Sequence, residues 1–195
     1  MIERTLLLEG EGVRLEPLHA RHLPALRECA NDPGLWEYTF GENPFTNDAD
    51  AREWLDRALR TSDAFAFAVV DKRTGSIAGS TRYIEIVPEY RKLEIGWTFL
   101  SRRYWRTRVN TEMKFLMMRH AFEACSAIRV QLKAEAVNKR SRAAIARLGA
   151  TYEGTMRNFR IRPSDGSIRS VSYYSVTDRE WPMVKERLLS FLDRN

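Results

Sequence analysis

The run Arg103-Tyr104-Trp105-Arg106-Thr107-Arg108-Val109-Asn110-Thr111-Glu112 is the stretch of the chain whose residue types most clearly point to chemistry. A turn leading into a helix offers unused N–H groups and the positive end of a helix dipole, and arginines there can grip phosphate oxygens with two parallel hydrogen bonds. That is anion chemistry. Two acids, Glu94 and Glu135, stand in strand-like segments where burial can lift a carboxyl toward the range of a working base; a cross-strand salt bridge is the other use for each. Asn138 and Ser141 have the spacing of a helix N-cap and its N3 residue. No nucleophile triad or metal site is expected. His19 and His22 read as helix-surface residues, and His120 falls on a core stripe with Met113, Leu116, Met117 and Ala121. Cys29 and Cys125 belong to no CxxC motif and read as buried thiols of a reducing, cytoplasmic compartment.

The elements that must position these groups follow from periodicity. Val13–Leu18 alternates as a strand and a short helix carries Leu23, Leu26 and Ala30 before Asn31-Asp32-Pro33-Gly34 stops it. Asn47 and Asp48 cap a helix whose Ala51, Trp54, Leu55, Ala58 and Leu59 form one stripe. Phe65–Asp71, Ser76–Val87 and Lys92–Leu100 read as three consecutive antiparallel strands. A helix from about Thr111 to Cys125, a strand over Ile128–Ala136 and a helix from Asn138 to Leu148-Gly149 then give a βαβα rhythm. Thr151–Ile161 and Arg169–Val176 form a hairpin, and Thr177-Asp178-Arg179-Glu180 reads as a capping box opening a last helix. The fold class is α/β or α+β with a mixed sheet. At 195 residues a single domain over 1–195, with its core at about 10–190, is expected. The start MIERTLLLEGEG lacks a signal-like apolar core and no run approaches the ~20 residues that span a bilayer, so a soluble, untargeted protein with no membrane partner is expected.

Net charge is +6, but it is not spread evenly. Between Ser101 and Arg169 there are sixteen Lys/Arg and five Asp/Glu, a balance of +11, against −5 for the rest of the chain. A basic surface suits a nucleic acid, an acidic surface or a polyanionic small molecule. Composition alone does not choose among these; the content of the basic stretch must decide.

Three segments in order, Leu93-Glu94-Ile95-Gly96-Trp97-Thr98-Phe99-Leu100, then Arg102–Glu112, then Asn138-Lys139-Arg140-Ser141 through Leu148-Gly149-Ala150 to Glu153-Gly154, resemble the GNAT superfamily of acyl-CoA N-acyltransferases, and within it the RimJ/RimL-like ribosomal-protein alanine acetyltransferase branch. The resemblance spans roughly residues 10–190. It implies a mostly antiparallel mixed sheet flanked by helices, in which the fourth strand splays from the fifth and a pantetheine arm takes up the unpaired backbone. It implies that Trp97, Thr98, Phe99 and Leu100 make those backbone contacts, one N–H polarising the thioester oxygen. Arg103, Trp105, Arg106, Thr107, Arg108, Val109, Asn110 and Thr111 would form the pyrophosphate cradle, although Arg106 and Arg108 stand where the family pattern has glycines. Asn138 would contact pantetheine and Ser141 would serve the leaving sulfur, since Ile145 occupies the position where much of the family carries a tyrosine. Glu94 and Glu135 are the acids within reach of the family's reaction centre, and the segment Leu35-Trp36-Glu37-Tyr38-Thr39-Phe40, with Trp36 and Tyr38 foremost, together with the hairpin around Arg160–Ser170, would build the acceptor side.

The function implied is transfer of acetyl from acetyl-CoA, without a metal, to a primary amine on a peptide N-terminus or a small molecule, by direct attack on the thioester. An α-amino group, with a reference pKa of about 7.7–8.0, needs less help than a lysine at about 10.4. The resemblance is compatible with a homodimer and implies no direct nucleic-acid partner. Two alternatives stand: a noncatalytic RNA- or ribosome-binding module built on the basic stretch, and a degenerate GNAT protein that binds CoA without turnover.

Overall fold

A computed structural model describes residues 5–39 and 42–194. Eight strands form one sheet: β1 (Leu8–Glu9), β2 (Val13–Pro17), β3 (Phe65–Asp71), β4 (Ser76–Val87), β5 (Lys92–Leu100), β6 (Arg129–Glu135), β7 (Thr151–Ile161) and β8 (Ile168–Thr177). Their spatial order is β1-β2-β3-β4-β5-β6-β8-β7. Every pairing is antiparallel except β5 with β6. A parallel pair needs a long crossover, and α3 (Arg108–Arg119) supplies it. The other helices are α1 (Leu23–Cys29), α2 (Asp48–Arg60), α4 (Lys139–Leu148) and α5 (Trp181–Asp193). Because β1 precedes the strand at Val13, the parallel pair expected as fourth and fifth is fifth and sixth in the chain.

The sheet has two covered faces. On one, Val13, Leu15, Tyr83, Ile95 and Leu132 pack beneath α3, α4 and α5, with Met113, Leu116 and Met117 of α3 fully buried. On the other, Ala66, Ala68 and Phe99 pack beneath α1 and α2, where Phe45 and Trp54 close around the Phe99 ring at centroid distances of 5.7 and 6.3 Å. Burial on both faces explains why β3 reads as an unbroken apolar run instead of an alternation. Asn47 caps α2 by accepting from the Asp50 N–H at 2.9 Å.

Several local expectations shift. Thr107 accepts the Val109 N–H, so α3 starts at Arg108, three residues before the expected Thr111, and its last turn widens into a π-helix over His120–Ala124. Thr177 and Glu180 do bond, through the Thr177 N–H and hydroxyl donating to the carboxylate, but they close a turn ahead of α5, which opens at Trp181. His22 is buried against Glu16 at 3.3 Å and is no surface residue. Cys125 is only half-buried, with Sγ 3.3 Å from His120 Nε2. Among the described residues no helix is long and apolar enough to cross a membrane.

β4 seats β5 through a close approach at Gly79, whose φ is 155° and where an added Cβ would lie 2.0 Å from the Phe99 carbonyl oxygen. A G79A variant must push β5 off β4, and calorimetric melting is expected to show a loss of about 3 kcal/mol or more.

Candidate active site

β5 and β6 stay paired only from Lys92–Arg129 through Glu94–Gln131. Beyond that point β5 runs on to Leu100 beside β4, while β6 runs on to Glu135 beside β8. A seam opens between them, and its walls are unpaired backbone. Ser101 donates its N–H to the Ala78 carbonyl at 2.8 Å, toward β4. The two-residue alternation of a strand therefore turns the N–H and C=O groups of Thr98 and Leu100 into the seam. One of these, the Leu100 carbonyl, is taken by the indole N–H of Trp105 at 2.9 Å. Ahead of it sits a β-bulge. Arg82 and Ser80 of β4 pair with Gly96 and Phe99 of β5, so Trp97 and Thr98 share one step, and Trp97 adopts φ 49°. The bulge reverses which residues face which side.

On the α3 face, Thr98 Oγ1 lies 2.8 Å from Thr81 Oγ1 and accepts from Lys114 Nζ at 2.9 Å. Lys114 is only 6% exposed, and desolvation pulls its pKa down to about 7 against a small upward pull from Glu94. This lysine escaped the sequence reading. Its signal was present: it stands three, four and seven residues before Met117, Met118 and Ala121, on the buried side of α3.

On the opposite face lies Glu94, 1% exposed, with Oε2 accepting from Gln131 Nε2 at 2.8 Å and paired with Lys133 Nζ at 3.0 Å. Gly96 leaves room for it, since a Cβ there would stand 2.8 Å from Oε1. Burial lifts the Glu94 carboxyl above its ordinary range, and Lys133 and Gln131 draw it back only partway. The cross-strand salt bridge and the raised carboxyl coexist. Glu135 is buried on the same face of β6, four residues past Gln131 and so about 13 Å further along the strand. Burial raises it too, opposed by Arg169 at 3.4 Å and by Arg162 and Arg160. It lines a shallow concavity of about 290 Å³ with Val137, Ser167 and Arg169.

The loop before α3 splits the two arginines that stand in glycine positions. Arg106 takes φ 62°, the left-handed conformation that glycine adopts without cost. Arg108 is ordinary helix, and it reaches away from the seam to Glu112 at 3.4 Å and Glu11 at 3.1 Å. Glu112 is buried and also accepts the Gly12 N–H at 2.9 Å, tying α3 to the turn before β2. The N–H groups of Arg108 and Asn110, in the first turn of α3, have no partner within the helix. Val109 packs into the core, and the Thr111 hydroxyl accepts from Arg147. Arg103 and Thr107 line, with Asp71 and Arg73, a concavity of about 590 Å³ on the β3–β4 side of this loop, away from the seam.

Across the seam, the Asn138 side chain accepts the Ser141 N–H at 3.0 Å and starts α4. The half-buried Ser141 hydroxyl makes no hydrogen bond among the described residues, and Ile145 is sealed in the core. Arg140 lies 3.7 Å over the Trp105 ring, which bridges the first turn of α4 to the loop before α3. Asn138, Ser141, Trp105, Thr98 and Leu100 therefore frame one opening.

On the Glu94 face, Trp36 packs 5.4 Å from Phe99 and donates its indole N–H to Ala30, so its role is packing the wall. Its carbonyl accepts from Arg162 of the β7–β8 hairpin at 3.1 Å, and the Tyr38 hydroxyl pKa is raised chiefly by a hydrogen bond to Glu37, with Arg140 and Glu135 acting on it more weakly. Phe40, also expected on this wall, lies outside the described residues.

A mixed sheet opened between two parallel strands, with a helix N-terminus at the gap, defines the class: an acetyltransferase. Residues 13–151 match the acetyltransferase (GNAT) domain, and the chain belongs to that family, whose members use acetyl-CoA. A GCN5-related N-acetyltransferase from Brucella melitensis is similar at 31% identity, with a TM-score of 0.91 over 98% of this chain and 86% of that one. A candidate acetyltransferase from T. thermophilus is similar at 37% identity, with a TM-score of 0.89 over 98% of this chain and 100% of that one. RimJ from Mycobacterium smegmatis, solved in complex with CoA-disulfide, shares the fold at 19% identity, with a TM-score of 0.75 over 91% of this chain and 88% of that one. No curated protein sequence matches the chain significantly.

Two outcomes follow from this geometry. R106G relieves a left-handed Cβ and is expected to stabilise the fold by about 1 kcal/mol, whereas R108G strips a buried carboxylate of its cation and costs about 1–3 kcal/mol; chemical denaturation separates them. For Lys114, the unfolded chain holds a proton that the folded chain has lost between pH 7 and the ordinary lysine range, so stability rises with pH across that window by up to about 1.4 kcal/mol per unit. K114M should flatten that rise in melts at pH 7 and pH 9.

Proposed function

We propose that the chain transfers acetyl from acetyl-CoA to a primary amine by direct attack, with the seam between β5 and β6 as the meeting place. The observation that carries this reading is the pair of backbone N–H groups of Thr98 and Leu100 that no strand takes up beyond the Glu94–Gln131 pair, between a buried acid on one face and the Ser141 hydroxyl near the other strand's end. Acetyl-CoA, when bound, supplies an acyl group activated as a thioester. The residues present fit it. Thr98 and Leu100 offer N–H donors along the seam, Asn138 stands opposite, and the first turn of α3 offers the N–H groups of Arg108 and Asn110 to an anion. Arg106 and Lys139 are exposed and make no ion pair among the described residues, which suits a phosphorylated ligand, whereas Arg103 lines the concavity on the β3–β4 side. The fold relative solved with CoA-disulfide supports the same assignment.

Glu94 is the base in this reading. Its raised carboxyl accepts the proton of the attacking amine at Oε1, the oxygen not already engaged by Gln131 and Lys133. The Ser141 Oγ donates to the departing sulfur, the part a tyrosine would play where Ile145 stands. Glu135, about 13 Å from the paired end of the seam, borders the acceptor approach with Tyr38. A RimJ/RimL-like acceptor, a peptide N-terminus, is supported by the spacing of the EIGW, Asn138-Ser141 and Leu148-Gly149-Ala150 segments.

The test is release of free thiol from acetyl-CoA in the presence of an amine panel, alongside calorimetry of CoA binding. E94Q is expected to lower kcat by about 10²–10³ and to remove the acid limb of the kcat/KM profile, because a carboxyl with a raised pKa protonates as pH falls. S141A should cost about tenfold or more in kcat at unchanged CoA affinity. Absence of calorimetric acetyl-CoA binding sinks the reading.

A further inference from the structure

Arg82 stands in β4 directly opposite Gly96, on the same face as Glu94 and diagonal to it, so the two Cα atoms are roughly 7–8 Å apart. Its side chain is 6% exposed. Two of its guanidinium nitrogens, Nε and Nη2, are fully buried and donate to nothing, and among the described residues it forms no ion pair. A buried cation without an acid is costly to keep. What surrounds it compensates only in part. Trp54 of α2 lies 4.8 Å and Trp97 of the bulge 5.2 Å from the guanidinium carbon, so the group is held between two indole rings.

No acid near Arg82 answers its charge. Burial draws the Arg82 pKa down to about 10, and the charge that adds to it, from α2, is another cation, Arg57. Arg57 itself leans only loosely on Glu53, at 3.8 Å. From β5 the nearest acid in register is Glu94, whose Oε2 is taken by Lys133 and Gln131 and which forms no ion pair with Arg82. Trp97, by contrast, is 60% exposed, and it sits at the left-handed bulge beside the opening of the seam. An outward-facing indole is thus what lies between the buried guanidinium and solvent.

A guanidinium with two adjacent unused donors is shaped for a planar two-oxygen anion, and the two flat rings beside it suit a planar carboxylate better than a tetrahedral phosphate. The nearest reactive feature is the seam, where the amine must arrive. We propose that Arg82, between Trp54 and Trp97, is the acceptor's anion site, and that the acceptor is an amino-carboxylate: a small amine carrying a carboxylate a few bonds from the nitrogen. This rests on the acetyltransferase reading and narrows its primary amine to an amino-carboxylate, in place of a RimJ/RimL-like peptide N-terminus. The amine lies toward Glu94 and the seam, the carboxylate lies under Trp97, and the cofactor's approach on the α3 side is untouched.

The experiment uses matched pairs. α-, β- and γ-amino acids and their carboxamides are offered with acetyl-CoA and free thiol is followed; separately, tryptophan fluorescence is titrated with the same amino acids without acetyl-CoA, since two indoles flank the site. Acids are expected to exceed their amides in kcat/KM by about 100-fold, mainly through KM, and R82Q should bring that ratio close to 1, with R82K intermediate because it keeps charge but loses the fork. Saturable fluorescence change with the preferred acid should vanish in R82Q, while calorimetric CoA affinity stays within about twofold. Equal use of acids and amides by the unmodified protein, or no saturable fluorescence response to any acid, overturns the proposal. Failure of acetyl-CoA to bind, with the fluorescence response intact, overturns the acetyltransferase reading instead and leaves the carboxylate site standing.

Discussion

Peptide groups cannot be buried without partners, and the molecule is organised around one place where the sheet declines to provide them. After Glu94 the fifth strand follows β4 and the sixth follows β8, so the two stop sharing hydrogen bonds while remaining close. Holding that divergence takes several devices. Gly79 lets β5 press against β4, the Trp97 bulge absorbs an extra residue, and Trp105 satisfies the Leu100 carbonyl from outside the sheet. Lys114 and Thr81 brace Thr98 from the α3 side. The Arg140–Trp105 stack fixes the distance between the two helices whose first turns flank the gap.

The divergence is accompanied by an unusual electrostatic load. Lys114, Arg82, Glu94 and Glu135 are all buried within or next to the parting strands. Each would be cheaper to fold as an apolar residue of similar volume. Glu94 and Glu135 each retain a basic partner, whereas Lys114 has only hydroxyl and long-range acidic support and Arg82 has only aromatic rings. A stability-driven sequence would place none of these groups there, and their concentration at one seam is the electrostatic signature of a site.

Much of this was legible in the chain itself. The three middle strands, the Asn47 and Asn138 caps and the terminal hairpin follow from β-rich runs bounded by turn residues and from capping chemistry, because those signals are local. Glu94 was identifiable as an acid in a strand, and the loop before α3 as an anion cradle. What escaped depends on contacts made across the fold. Arg82 is one of several polar residues in β4 and gains meaning only because α2 brings Trp54 over it and a bulge turns Trp97 onto it. Lys114 looked like one charge on an amphipathic helix until the crossover aimed it at Thr98. The two arginines in glycine positions are identical in sequence terms, yet one is left-handed and the other is first-turn helix, a distinction set by where Thr107 caps α3.

The bulge at Trp97 and Thr98 has a consequence for how such a protein can diversify. By reversing the side-chain parity of β5, it sends Thr98 and Leu100 to the helix-covered face that includes α3 and leaves Glu94 and Phe99 on the face covered by α1 and α2. The two faces carry separate packing clusters and share little beyond backbone. Substitutions in α2, in the segment around Trp36 or in the β7–β8 hairpin can therefore remodel what approaches from one side while leaving the other side's architecture intact. One half of the molecule can stay constant as its opposite half is rewritten, with the sheet serving as the partition between a fixed tool and a variable grip.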